Sequence, residues 1–228
     1  MIHLSGVSKT YPNRITALSN LSLEVEAGEF VFISGPSGSG KSSLLRILYG
    51  LEPASSGEVI VDGLRLTQPG FKKVDQLRRR MGIISPDFKL LTDRNVRENV
   101  ALTLEVIGCP HRDIQRMVLE RLSQIGLLER AEDPIFSLSA GEQQRVSIAR
   151  AVVRKPPLIL ADEPTGLLDE EMTEKVMAIL SELHQEGTTI LLATQDAHLI
   201  QRYPYRRIFL GAEESGDGNG EEGVIVEG

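Results

Sequence analysis

At 228 residues the chain is long enough to bury a sizeable core, as one large α/β domain or as a core domain carrying a subdomain. Apolar residues at 41% and charged residues at 25% fall in the ordinary globular range, and a net charge of −7 argues against a basic nucleic-acid groove while leaving room for local binding of nucleotide phosphate. A lone cysteine, Cys109, excludes an internal disulfide and supplies no metal cluster; no apolar run approaches the ~20 residues that cross a bilayer, and MIHLSGVSKTYPNR lacks the apolar middle of a signal peptide. A soluble cytosolic protein is expected, with any membrane role exercised through a partner.

Short β-rich segments come first. Leu21–Val25 alternates, and after Gly28 the apolar run Phe30–Ile33 reads as a strand. It feeds GPSGSGKS, residues 35–42, which fits G-x-x-x-x-G-K-[ST] through Gly35, Gly40, Lys41 and Ser42. Helix-forming Leu44, Leu45, Ile47 and Leu48 follow. Strand, glycine turn and helix in that order aim successive backbone N–H groups and a helix N-terminus at one anion. The candidate phosphate cradle therefore runs through Gly35, Pro36, Ser37, Gly38, Ser39, Gly40, Lys41, Ser42 and Ser43. In it Lys41 reaches the terminal phosphates and the Ser42 hydroxyl ligates Mg²⁺.

Glu58–Val61 with Asp62-Gly63 reads as a strand and turn, and Met81–Ser85 as a strand ended by Pro86. From Asp87 to about Glu132 the pattern turns helical. Val96, Val100, Leu104 and Ile107 form one stripe, and Ile114, Met117, Val118, Leu122 and Ile125 another, with Gly108 and Pro110 between them. The expected organisation is an α/β core over 1–86 and 133–228 interrupted by a helical subdomain over 87–132. In the segment from Asp87 to about Leu104, Phe88, Leu90 and Leu91 lie among Lys89, Asp93, Arg94, Arg97 and Glu98, a mix that suits either a groove for a short helix of a membrane partner or packing of the three apolar residues into the subdomain core.

Ser139 and Glu142 make a capping box for a helix through about Val153, which Pro156-Pro157 stops. Leu158–Ala161 is a continuous apolar strand of the kind buried in a parallel sheet, ending in Asp162 and Glu163. Asp162 is the candidate second metal residue, and Glu163 the group that polarises an attacking water. Met172, Val176, Ile179, Leu180 and Leu183 mark a further helix, Thr189–Thr194 a further buried strand, and Ile208–Leu210 and Val224–Val226 small edge strands. Between those two, GAEESGDGNGEEG is expected to be a mobile, solvated loop.

LSAGEQQRVSIARA at 138–151 resembles the signature motif of ABC-type ATPases, usually LSGGQ or LSGGE, and ADEPTGLLD at 161–169 resembles that family's Walker B strand and D-loop. LRILYG at 45–50 and DFKLLTDRNVRENVAL at 87–102 narrow the likeness to its cell-division members; the lipoprotein-release and macrolide-export members share the core motifs. The resemblance implies a P-loop ABC-type nucleotide-binding domain with an α/β core, a small antiparallel β part and the helical subdomain. It implies Mg²⁺ and ATP at the interface of a head-to-tail homodimer, no nucleic acid, and an FtsX-like integral-membrane partner that holds the chain at the inner face of the membrane to regulate septal cell-wall hydrolysis. By the same resemblance Ser139, Ala140, Gly141 and Glu142 face the γ-phosphate of the partner's nucleotide, Tyr11 stacks on adenine, and Asp169 links the two sites.

Three positions depart from the family pattern. Pro86 stands where the family has a metal-ligating and water-positioning glutamine, Gln195 where it has a histidine, and Ala140 where it has the first signature glycine. Proline has no side-chain donor or acceptor, and a glutamine cannot carry a proton or positive charge. Lys41, Ser42, Asp162 and Glu163 are all present, so two readings stay open: a slow ATPase, or a nucleotide-gated scaffold without turnover. Gln195 and Glu163 are the candidate catalytic groups in the first.

Overall fold

The computed structural model describes residues 1–212 and 222–227, with Ala212 and the last strand as backbone only. The chain divides into two compact units, Met1–Arg78 with Thr189–Gly228, and Arg79–Thr188. In chain order the first unit begins with β1 (Ile2–Thr10), β2 (Thr16–Val25), β3 (Phe30–Ser34), α1 (Lys41–Leu48), β4 (Ser56–Val61), β5 (Leu64–Arg65) and α2 (Val74–Arg78). The second carries β6 (Met81–Ile84), α3 (Val96–Val106), α4 (His111–Gln124), α5 (Ala140–Val152), β7 (Leu158–Asp162) and α6 (Glu170–Gln185). The first then resumes with β8 (Thr189–Ala193), α7 (Ala197–Arg202), β9 (Arg206–Ala212) and β10 (Glu222–Glu227).

Two sheets organise the first unit. β2, β1, β4 and β5 are antiparallel in that order, and their alternating residues put Ile2, Leu4, Val7, Leu21, Leu23, Val25, Val59 and Val61 inside. The turn at Asp62 (φ 51°) and Gly63 (φ 73°) joins β4 to β5 as the Asp-Gly pair predicts. In the other sheet β10, β9, β3 and β8 follow one another, β3 lying parallel to both β8 and β9. β3 and β8 do not alternate, because a parallel strand between neighbours is covered on both faces. β9 is longer than the sequence suggested and is no edge: it pairs with β3 on one side and β10 on the other. Of the Gly/acid run, the ends lie in β9 and β10, and 213–221 fall outside the described residues.

In the second unit β6 and β7 pair in parallel, Met81 beside Leu158 and Ile84 beside Ala161. The stretch 87–95 is irregular, and helix begins only at Val96, where Asn95 and Glu98 close a capping box. Val96, Val100 and Leu104 are buried, but Ile107 caps the helix end and is 49% exposed. Ile114, Val118, Leu122 and Ile125 form the buried stripe of the α4 segment, Met117 being half-buried. Among the described residues no helix is long and apolar enough to cross a membrane.

Candidate functional site

In the first unit the carboxyl end of β3 runs into the glycine loop. Gly35, Gly38 and Gly40 have φ of 142°, 83° and 94°. A Cβ on Gly35 would lie 2.1 Å from the Leu210 carbonyl oxygen, and one on Gly40 2.2 Å from that of Ala17, so no side chain fits at either position. Gly40 caps α1 without a side chain, and the first turn of the helix holds no acid. The opening N–H groups of α1 are thus available to an anion. The Ser39 Oγ is buried in the same loop with no hydrogen-bond partner among the described residues. An unpartnered buried hydroxyl and an uncapped helix end fit a phosphate group.

Lys41 is buried, and its Nζ donates to the carbonyls of Gly35 (2.7 Å) and Pro36 (2.9 Å), which holds the ammonium over the loop. Tyr11 is tied to the same helix, its hydroxyl 2.9 Å from the Ser43 Oγ. Lys9, 5.0 Å above the centre of the Tyr11 ring, donates to the Pro53 carbonyl and pairs with Glu52 at 3.3 Å. Burial raises the Glu52 pKa, but hydrogen bonds from Tyr11 and Lys9 and the charges of Lys9 and Arg46 outweigh it, so the carboxyl sits below its ordinary value. This network around Tyr11 escaped the sequence reading, since its members are far apart in the chain. β8 lies beside β3 with Ala193 opposite Ile33, which delivers Thr194 and Gln195 next to the strand that enters the loop. Gln195 is exposed, and Asp196 is committed to capping α7, accepting from the His198 and Leu199 N–H groups.

In the second unit the parallel register sets Ser85-Pro86 beside Asp162-Glu163 at the carboxyl ends of β6 and β7. Asp162 is buried, and Glu163 leaves the strand with φ 46°, a left-handed conformation that glycine favours and that bulky residues adopt where the surroundings enforce it. Gln144 of α5 reaches the Pro164 carbonyl at 2.9 Å, and a Cβ on Gly141 would approach the Leu167 carbonyl oxygen to 2.9 Å. The signature helix and the loop after β7 are therefore in contact. Asp169 caps α6 by accepting the Met172 N–H.

The α5 cap is complete. Ser139 Oγ accepts the Glu142 N–H, and Glu142 Oε2 accepts both the N–H and the hydroxyl of Ser139. Ala140, exposed, is the first helical residue. The Ser139 N–H, then its hydroxyl and the Arg130 guanidinium, hold the Glu142 carboxyl below its ordinary 4.5 against the opposing pull of desolvation. Pro86 lies in a turn closed by the Phe88 N–H on the Ser85 carbonyl, with Phe88 (φ 53°) and Lys89 (φ 50°) both left-handed. Arg150 of α5 clamps that turn through the carbonyls of Phe88 (2.6 Å) and Lys89 (2.7 Å), and Ser147 Oγ also reaches Phe88. Arg130 and Arg150 were not singled out from sequence. Arg94 and Arg97 are already paired, with Glu105 and Glu132.

A family model described as ABC transporter matches residues 18–166. The chain belongs to the ABC transporter family. It is 42% identical over 222 residues to the cell division ATP-binding protein FtsE of Escherichia coli K12, covering 97% of this chain and 100% of that one. The protein of the same name from Bacillus subtilis is 39% identical, at 99% and 95% coverage. Among solved structures, the dimeric bacterial ABC transporter cassette MJ0796 superposes with a TM-score of 0.86 at 37% identity, covering 92% of this chain and 94% of that one. A second dimeric structure of that cassette, in a post-hydrolysis state bound to ADP and Pi, gives 0.85 at 36% identity with the same coverage.

Proposed function

We propose that this ABC-type ATPase binds Mg²⁺-ATP between two copies of itself and hydrolyses it to drive an FtsX-like integral-membrane partner in cell division, from the cytoplasmic face of the membrane. The observation that carries the reading is the glycine loop, an uncapped helix end beside a buried Ser39 hydroxyl that has no hydrogen-bond partner among the described residues. Residues 35–43 with Lys41 hold the phosphates, and Tyr11 takes the adenine. Ser42 and Asp162 hold Mg²⁺, which when bound offsets charge that develops on the phosphates. Glu163 orients and polarises the attacking water, and Gln195 donates a neutral hydrogen bond to the γ-phosphate. Ser139, Ala140, Gly141 and Glu142 face the nucleotide of the second copy, and Asp169 links the two sites.

The 87–132 stretch serves as the helical subdomain, and its segment from Asp87 to about Leu104, which includes the start of α3, as the seat of the membrane partner. Regulation of septal cell-wall hydrolysis is the expected output. Pro86 and Gln195 favour a slow cycle, in which nucleotide-driven closure of the dimer matters more than turnover. Glu163→Gln tests the reading. It should lower phosphate release by ~10²–10³-fold and accumulate a dimer on gel filtration with Mg²⁺-ATP. Unchanged hydrolysis with no ATP-dependent dimer would sink both the role of Glu163 and the clamp built around it.

A further inference from the structure

A carboxylate in the first turn of a helix stabilises that helix, but it opposes any anion arriving at the same end. Glu142 occupies that position in α5. The one-turn helix Leu128–Arg130 brings the Arg130 guanidinium to it: Nη1 donates to Glu142 Oε1 at 2.7 Å and Nε to Asp133 Oδ2 at 2.8 Å. Nη2 contacts Ser137 through its carbonyl and hydroxyl at 3.3 and 3.4 Å. The other oxygen of Glu142 is turned back on Ser139, and the side chain is only 18% exposed. Each carboxylate oxygen thus has its own donor, and one cation serves both Glu142 and Asp133.

We propose that Arg130 is a positioning residue for the nucleotide-bound dimer: it cancels the Glu142 carboxylate, so that the N-terminus of α5 can meet the nucleotide phosphates held by a second copy of the chain. The inference rests on the proposed reading of Ser139–Glu142 as facing the partner's nucleotide. Without Arg130, Glu142 keeps only its bonds to Ser139, and its charge meets an approaching phosphate with no cation beside it. Like charges brought together across an interface weaken it strongly. Arg130 needs no contact with nucleotide to act in this way, because it acts through Glu142.

The test measures ATP-dependent dimerisation by sedimentation with Mg²⁺-ATP, in a Glu163→Gln background that holds the dimer. Adding Arg130→Ala should weaken dimerisation by about tenfold or more, within the usual range of coupling between sites. Adding Glu142→Gln to that variant should restore it to within about threefold, since the charge needing cancellation is gone. Arg130→Lys, which keeps the charge but lacks the planar fork whose separate nitrogens serve Asp133 and Glu142, should retain most of the affinity. ATP affinity of each monomer, set by the glycine loop, reports whether the variants fold. A merely structural role predicts that Glu142→Gln repairs nothing; that result, or an unaffected Arg130→Ala, overturns the proposal. If the Glu163→Gln protein itself forms no dimer, the site reading beneath it falls as well, and the two failures are told apart by that first measurement.

Discussion

α1 and α5 both start at a glycine-bearing motif, yet their first turns are finished differently. Gly40 opens α1 with no side-chain cap and no acid, while Ser139 and Glu142 close α5 with a reciprocal box that Arg130 buttresses. The same helix geometry therefore leaves an open end in one place and a capped end in the other. At α1 an anion meets free N–H groups and the positive end of the helix dipole; at α5 it meets donors already partly engaged and a neutralised carboxylate. A first-turn N–H that no side chain claims can bind phosphate within one chain. A capped end needs a second, closely fitted surface to be worth approaching, which is what a dimer interface supplies.

Closing the open end should have the largest effect. Gly40→Ala places a Cβ 2.2 Å from the Ala17 carbonyl oxygen at a φ of 94°, so either the strand or the loop must shift. ATP affinity measured by calorimetry should fall by more than ~100-fold, consistent with a strained left-handed position that cannot relax. Retained nanomolar-to-micromolar binding in this variant would mean that the loop cradle is not the nucleotide seat.

Both units also carry a departure from the family pattern at the carboxyl end of a strand, and these offer a finer comparison. Gln195 follows β8 beside the glycine loop's own strand, whereas Pro86 follows β6 in a turn that Arg150 and Ser147 hold. Gln195→His should raise turnover by about tenfold, because it supplies a proton and charge to a transition state where one oriented contact is worth ~10²–10³. Pro86→Gln should gain about threefold or less: the turn is pinned at Phe88 and Lys89, so a new amide begins from a path shaped around proline. The double variant should exceed the product of the single effects if both groups act on one transition state. Turnover that stays flat in the double variant while ATP still binds would make the chain a clamp.

Much of this was legible in sequence because it is local. The strand–loop–helix order at 30–48, the capping box at Ser139 and Glu142, and the apolar strand ending at Asp162 are each written in contiguous residues. The Asn95–Glu98 box that starts α3 had the same kind of signal, N-x-x-E, and was hidden by taking the helical period back to Asp87. β9 was misplaced to an edge because strand order depends on pairing between distant segments, not on the strand's own composition. Arg130, Arg150 and the Lys9–Glu52 contact beside Tyr11 were invisible for a related reason. A surface arginine and one that clamps two carbonyls of a left-handed turn look alike until the fold brings the turn to it.

At the capped end itself the expected effects are on stability rather than turnover. Ser139→Ala removes the oxygen that accepts the Glu142 N–H and donates to its carboxylate, and should lower unfolding stability by ~1 kcal/mol, the usual worth of an N-cap. The charge-dependent part can be isolated with pH. Glu142 has its folded pKa depressed below 4.5, so its contribution is fully present above that value and is lost as pH falls through the folded pKa. Wild type and Glu142→Gln should therefore differ most near neutrality, by less than about 1 kcal/mol given solvent screening, and converge in acid. Calorimetric melts from pH 7 down to the acid limit of folding read this directly. A gap that stays constant through acid would mean that Glu142 closes α5 by shape and hydrogen bonding alone, with no share for its charge.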